Sequence, residues 1–134
     1  MKTNTDMLNL LFPVVHTTTL TTLLGTGKVY RWKKPVNSVL NDVVLTPLNI
    51  SNGLDINVQP GTVIINIYSK KQVDGTYPET LLRSISALVI SAIEAYVSST
   101  TFLTMEIVSD NIMDDMDNTS MCYESIRINF WIES

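Results

Sequence analysis

The sequence predicts an α+β fold, with a mostly antiparallel sheet, an N-terminal helix and one long amphipathic helix packed on one face. Three patterns lead to this prediction. Apolar residues recur at three- and four-residue spacing over Leu81–Tyr96, as in a helix that buries one stripe. β-Branched and aromatic residues crowd Thr62–Tyr68, and apolar residues alternate over Ile126–Ile132, as they do in strands.

Length and composition indicate one domain that spans residues 1–134. A chain of 134 residues can bury one sizeable core but has no room for a second. Charged residues make up only 16%, below the quarter or so that is usual for soluble domains, and Thr, Ser and Asn take their place. Such a surface is expected where much of the exterior meets another protein, because hydroxyls and amides are easier to desolvate than charges.

The net charge of −4 disfavours broad binding to nucleic acid, because the overall field repels a phosphate backbone. Basic residues nevertheless gather at Lys28, Arg31, Lys33 and Lys34, and again at Lys70–Lys71. We interpret them as a solvated strand edge, where lysines discourage unwanted pairing. A small positive strip is the alternative.

The cysteine content and the N-terminal region bear on the compartment. A single cysteine excludes an internal disulfide, which favours a reducing environment. The first apolar stretch is interrupted by Asn9, Pro13 and His16, so neither a signal peptide nor a membrane span is predicted there. We therefore expect an intracellular protein with no membrane partner.

The first helix is predicted to begin at Asn4–Asp6, whose side chains can accept hydrogen bonds from free amide groups, and to be kinked or delayed by Pro13. Gly25–Gly27 ends the helical region and turns the chain. These glycines and the lysine after them have some likeness to a phosphate-binding loop. However, Thr22 and Val29 stand where that motif needs a glycine and a hydroxyl residue, so a simple turn is predicted.

Three strands are predicted in the first half of the chain after this turn. They are Val29–Trp32, Asp42–Ile50 and Thr62–Tyr68. Pro47 places the second strand near an edge or at a bulge, because proline cannot donate to a ladder. The third follows a predicted turn at Gln59–Gly61 and is expected to be central to the sheet.

In the second half of the chain the sequence predicts a turn, a helix and two strands. Asp74–Gly75 marks the turn, and the long helix opens at Pro78. A short strand is predicted at Thr104–Val108, an acidic loop at Ser109–Asn118, and a closing strand at Ser120–Glu133.

No catalytic group is predicted. His16 is the one histidine and is expected to be structural. Cys122 has no second cysteine or nearby histidine for a zinc site and is expected to be a buried small hydrophobe.

The acidic loop does not have the spacing of an EF-hand, so we expect a solvated hairpin tip rather than a calcium site. Its aspartates are Asp110, Asp114, Asp115 and Asp117. We expect no enzyme activity, no metal and no cofactor.

Tryptophan supplies the candidates for an interface. Trp131 lies on the less covered face of the closing strand. It is either an ordinary surface aromatic or an interface anchor, since tryptophan is enriched at binding hot spots. Trp32 is the second candidate.

The order of these elements, and in particular Val63–Tyr68, Asp74–Gly75 and Leu81–Tyr96, resembles tail-terminator proteins and related neck components of tailed bacteriophages. The resemblance covers nearly the whole chain. It implies a structural protein of the virion that forms a ring of six or twelve copies at the junction between portal and tail, with a sheet shared or abutted between neighbours. Other neck, portal or tail proteins would be its partners, and DNA would pass through only as cargo.

In such a ring, the loops at Thr18–Gly27, Val36–Asn41 and Ser109–Asn118 would reach the neighbours or line the channel. Asp114, Asp115 and Asp117 are therefore candidate interface residues, and in the lumen they would help DNA to slide past by repelling it. The Thr- and Asn-rich first helix departs from the commonest long-tailed arrangement and leaves a short-tailed particle open. The alternative function is a small intracellular adaptor domain that binds another protein.

Overall fold

Three helices and five strands form the part of the chain that the computed structural model describes, which is residues 3–50, 58–101 and 103–133. For Asn49 and Ile50 only the backbone is described. The elements in chain order are α1 (Asn4–Val15), α2 (Thr18–Leu24), β1 (Val29–Arg31), β2 (Val43–Ile50), β3 (Val58–Lys70), α3 (Glu79–Ser98), β4 (Leu103–Asp114) and β5 (Met121–Glu133).

The strands form one sheet in the order β1-β2-β3-β5-β4. β1 runs parallel to β2, and every other neighbouring pair is antiparallel. β3 pairs with β5 without interruption from Val58 opposite Glu133 to Lys70 opposite Met121. The predicted central position of Thr62–Tyr68 is confirmed, as is the α+β fold class.

The helices cover one face of the sheet, and the core lies between the two layers. α3 turns its buried stripe inward at Leu82, Ile85, Val89 and Ile93, where it meets inward-facing side chains of the central strands. Judged only by length and composition, α3 is long and apolar enough to cross a membrane. The same is true of α1 and α2 if the bent pair is counted as one span. In this fold the apolar stripe of α3 is buried against the protein.

The N-terminal helix begins with a capping box. The Thr3 hydroxyl accepts a hydrogen bond from the Asp6 amide at 3.2 Å, and the Asp6 carboxylate accepts one from the Thr3 amide at 2.8 Å. Pro13 lies in the last turn, and the chain then bends by 79° into α2. The predicted kink is therefore a break between two helices.

The prediction that Thr18–Gly27 is a loop is wrong, because Thr18–Leu24 is α2. The Thr17 hydroxyl caps this helix by accepting from the Leu20 amide at 3.2 Å. Leu20 and Leu24, four residues apart, are both buried in the core. Tertiary burial of these leucines outweighs the low helix propensity of the threonines around them.

Two strand boundaries also differ from the prediction. Gln59–Gly61 is not a turn but part of β3, and Pro60 is tolerated there because the pairing with β2 ends at Gly61. The first six residues of the predicted loop Ser109–Asn118 belong to β4, which continues to Asp114, and the other four lie in the turn of the hairpin. Pairing with β5 satisfies the backbone of β4, so the acidic side chains do not prevent a strand. The predicted bulge of the second strand is confirmed as a register shift between Pro47 and Asn49.

Two glycines make the turn from α2 into β1. Gly25 has a φ of 68° and ends α2. Gly27 has a different reason to be glycine, since a Cβ placed on it would lie 1.7 Å from the carbonyl oxygen of Asn41. The chain before β1 therefore touches the backbone that leads into β2.

We predict that Gly27→Ala lowers the free energy of unfolding by at least about 2 kcal/mol, because the backbone at Asn41 must move to make room. Thr26→Ala is the matched control, since Thr26 is exposed, and it should change stability by less than about 0.5 kcal/mol. Urea denaturation followed by circular dichroism measures both. Equal stability of the two variants would contradict the close approach.

Candidate assembly surfaces

The face of the sheet opposite the helices is open and largely uncharged. Its side chains belong to the alternate positions of β3 and β5 that do not enter the core. The Thr62 hydroxyl donates to the Asn129 side-chain oxygen at 2.8 Å, and the rings of Tyr68 and Tyr123 lie 5.2 Å apart. We call this surface the open face. It contains Thr62, Ile64, Asn66, Tyr68, Tyr123, Ser125, Arg127, Asn129 and Trp131.

Trp131 lies on the open face, as its place in the alternating pattern predicts. Its strand neighbours are Pro60 on β3 and Thr104 on β4. The side chain is half-buried, so one part of the ring rests on the protein and another part meets solvent. A half-buried tryptophan on a largely uncharged surface is suited to contact another protein.

Trp32 lies at the other side of the sheet, directly after β1. Its φ of 68° is in the left-handed region, which is uncommon for a residue with a Cβ. Two hydrogen bonds hold its backbone, from its amide to the Leu45 carbonyl at 2.9 Å and from the Thr46 hydroxyl to its own carbonyl at 3.2 Å. Trp32 is 46% exposed. The two tryptophans therefore belong to different surfaces.

The loop that follows Trp32 is organised by a buried carboxylate. Asp42 is fully buried, and its oxygens accept from the Lys28 amide at 3.0 Å and from the Ser38 hydroxyl. The Lys34 ammonium donates to the Ser38 carbonyl at 3.0 Å and lies 4.8 Å from the centre of the Tyr68 ring. Val36–Asn41 is a loop, as predicted, and the hydrogen bonds of Ser38 to Asp42 and Lys34 fix its conformation.

The three acidic interface candidates at the β4–β5 hairpin have different roles. Asp114 ends β4, where Lys71 approaches it at 3.0 Å and the Tyr77 hydroxyl donates to it at 2.9 Å. These hydrogen bonds lower the pKa of the Asp114 carboxyl. Asp115 is buried and accepts from the Asp117 amide at 3.0 Å, which shapes the tip. Of the three, Asp117 is the exposed carboxylate without a cation beside it in the described part of the chain.

A second acidic feature was missed from the sequence. Glu124 belongs to β5, is 5% exposed and lies beside α3 and β4. It is hydrogen-bonded to Asp110 of β4. Burial, followed by this hydrogen bond, raises the pKa of Glu124 to about 8, while Ser86 and Arg83 act in the opposite direction. The signal was present, since Glu124 occupies an inward position in the alternation of β5.

The other two residues considered for chemistry, His16 and Cys122, lie far apart in sequence and have different surroundings. The His16 ring packs on Phe12 at 5.2 Å between centroids, just after α1. Cys122 is buried, and its thiol lies 3.5 Å from the Ser69 carbonyl. Within the described ranges, no three His, Cys, Asp or Glu side chains are arranged to hold a metal ion.

Comparison with known proteins finds a similar fold among solved structures but no related sequence. No protein-family model and no curated sequence matches the chain. A solved structure described as the virion of a native gene transfer agent particle contains a chain with the same fold. The TM-score is 0.60 at 14% identity, and the alignment covers 92% of each chain. At that identity the likeness shows a shared fold across nearly the whole domain.

We predict that the free energy of unfolding falls as pH rises from 4.5, the ordinary pKa of Glu124, to about 8, its pKa in the folded protein. The folded chain binds this proton more tightly than the unfolded chain, so stability is lost as the proton leaves. Glu124→Gln keeps a neutral side chain of similar shape and should flatten this dependence.

Urea denaturation at pH 5, 6.5 and 8.5 measures the effect in both proteins. Asp117→Asn is the control, since that carboxylate is exposed and should leave the slope unchanged. The same slope in wild type and Glu124→Gln would show that Glu124 does not hold its proton at neutral pH.

Proposed function

We propose that this chain is a structural protein of a phage-like virion, where copies form a ring at the junction between portal and tail, as a neck component or tail terminator. The observation that carries the proposal is the likeness in fold, over 92% of both chains, to a chain of a gene transfer agent virion. The order of elements in the sequence independently resembles proteins of the same kind of particle.

The surface of the domain supports a role in assembly. The open face has few charges, and strongly exposed apolar side chains such as Val36 (84%) and Met116 (89%) lie outside it. Exposed apolar groups near polar ones are typical of surfaces that meet other proteins. A ring of identical copies would cover such surfaces on every subunit.

In the proposed ring, DNA passes through the channel as cargo. Acidic side chains toward the lumen would keep DNA from adhering. At the hairpin tip, Lys71 offsets the charge of Asp114, and Asp115 is buried, so Asp117 would supply most of this repulsion. The tip is therefore less negative than the count of aspartates indicates.

The first test is the mass of the purified protein by light scattering across concentration, with negative-stain imaging of any large species. Rings with a central hole are expected, and the images would give the number of copies. A particle that stays near the 15.0 kDa of one chain at all concentrations would count against self-assembled rings and favour the adaptor alternative.

We predict that Trp131→Ala weakens assembly and leaves the fold intact, because the Trp131 side chain is half-buried and lies on the open face rather than in the core. Far-ultraviolet circular dichroism should be unchanged, while the assembled fraction in light scattering falls. Val73→Ala, at a fully exposed position in a turn, is the control and should assemble as wild type does. Loss of the dichroism signal in Trp131→Ala would instead make Trp131 a residue of the fold.

A further inference from the structure

The strongly exposed apolar side chains gather at two opposite borders of the sheet. One group lies in the loop after β1 and in β2, and the other lies in β4 and at the hairpin tip. Among the described residues, Val73 is the exception. The groups are Trp32, Val36, Val39, Leu40 and Leu48 at the first border, and Ile107, Val108, Met113 and Met116 at the second. β1 and β4 are the end strands, so three strands separate the two edges of the sheet to which these groups belong.

The two borders carry opposite charge. Residues 28–40, which we call the basic border, contain Lys28, Arg31, Lys33 and Lys34 and no acidic residue. Residues 103–118, which we call the acidic border, contain no basic residue. Their five carboxylates belong to Glu106, Asp110, Asp114, Asp115 and Asp117. Asp114 is paired with Lys71 and Asp115 is buried, so Glu106, Asp110 and Asp117 carry most of the negative charge of the acidic border. Each border thus combines exposed apolar groups with a net charge of one sign.

The basic border is held in place rather than free. The Arg31 guanidinium donates to the Asn9 side chain at 2.9 Å and lies 4.5 Å from the centre of the Phe12 ring. Asp42 fixes the loop through Lys28 and Ser38. A surface that is already ordered loses less entropy when it binds.

The acidic border follows an edge strand that is protected by carboxylates and a bulge rather than by lysines or short length. β4 is 12 residues long and contains no lysine. The register shift between Ile107 and Ser109 interrupts it, and at this point Val108 is 50% exposed. An edge of this kind is suited to a partner with apolar groups and positive charge.

We propose that the basic border of one copy docks on the acidic border of the next copy. This inference rests on the proposed function in that it assigns the contact between neighbours in the ring. Two different surfaces meet, so the contact is heterologous and each docked copy leaves one border of each kind free for further copies. Like charge opposes contact between two basic or two acidic borders.

The test uses one substitution in each border of the full chain. Val108→Lys places a cation where the basic border would dock, and Val36→Glu places an anion where the acidic border would dock. Each variant alone should raise the apparent dissociation constant for self-association at least about tenfold, because a charge is buried beside like charges. Val73→Glu is the control at an exposed position outside both borders and should associate as wild type does.

Mixing the two variants distinguishes docking between different borders from any symmetric contact. Val108→Lys retains a normal basic border and Val36→Glu a normal acidic border, so an equimolar mixture should associate to at least twice the 15.0 kDa of one chain. Self-association of the wild type should also weaken as salt rises from 50 to 500 mM, since the contact is partly between charges. Circular dichroism confirms that each variant is folded.

The outcomes separate this inference from the proposed function. Rings that persist in both variants overturn the docking of borders and leave the ring role standing. Open chains or dimers that depend on both borders, without closed rings, support the docking and count against the ring role. A wild-type chain that stays at 15.0 kDa even at about millimolar concentration overturns the docking of copies.

Discussion

The uninterrupted pairing of β3 with β5 is the interaction on which the other elements depend. It extends over the whole of β3, so that every residue from Val58 to Lys70 has a partner on β5. β2 attaches to the far side of β3 and β4 to the far side of β5. The inward residues of the two central strands belong to the core cluster that also contains the buried residues of all three helices. Loss of this register by one residue would turn the apolar set of one strand toward solvent.

A second constraint acts at the border of the sheet. Asp42 is buried, and its carboxylate accepts hydrogen bonds from the Lys28 amide and the Ser38 hydroxyl. Its backbone carbonyl accepts a third hydrogen bond from the Tyr68 amide at 2.7 Å. One residue therefore joins the start of β1, the loop after it and the central strand. The close approach of Gly27 to Asn41 belongs to the same junction. These hydrogen bonds hold in place the loop that contains the exposed Val36 and Val39.

The parts of the fold that were predicted correctly have strong local patterns. The stripe of α3 and the β-branched run of β3 each contain enough apolar residues to determine their element without knowledge of neighbours. α2 was missed because its threonines obscure the spacing of Leu20 and Leu24. The full length of β4 was missed because its stability comes from pairing with β5, which local propensity does not report.

Side-chain partners at the candidate sites were the least predictable. Lys71 and Asp114 are 43 positions apart in sequence, and only the sheet topology brings them to 3.0 Å. The buried Glu124 was visible as a polar residue at an inward position, yet its partner Asp110 depends on the register of β4. Composition indicated contact with other proteins, but the division of charge between opposite borders required the strand order.

The strand order also bears on how the chain is made. β4 is joined to the sheet only through β5, which is the later of the two along the chain. While a ribosome is synthesising the protein, β3 and α3 emerge before β5 exists, and β3 lacks one of its two neighbouring strands until β5 is made. The β4–β5 hairpin can form locally and then dock as a unit beside β3. The nascent chain is therefore exposed to aggregation or to chaperones until β5 has been synthesised.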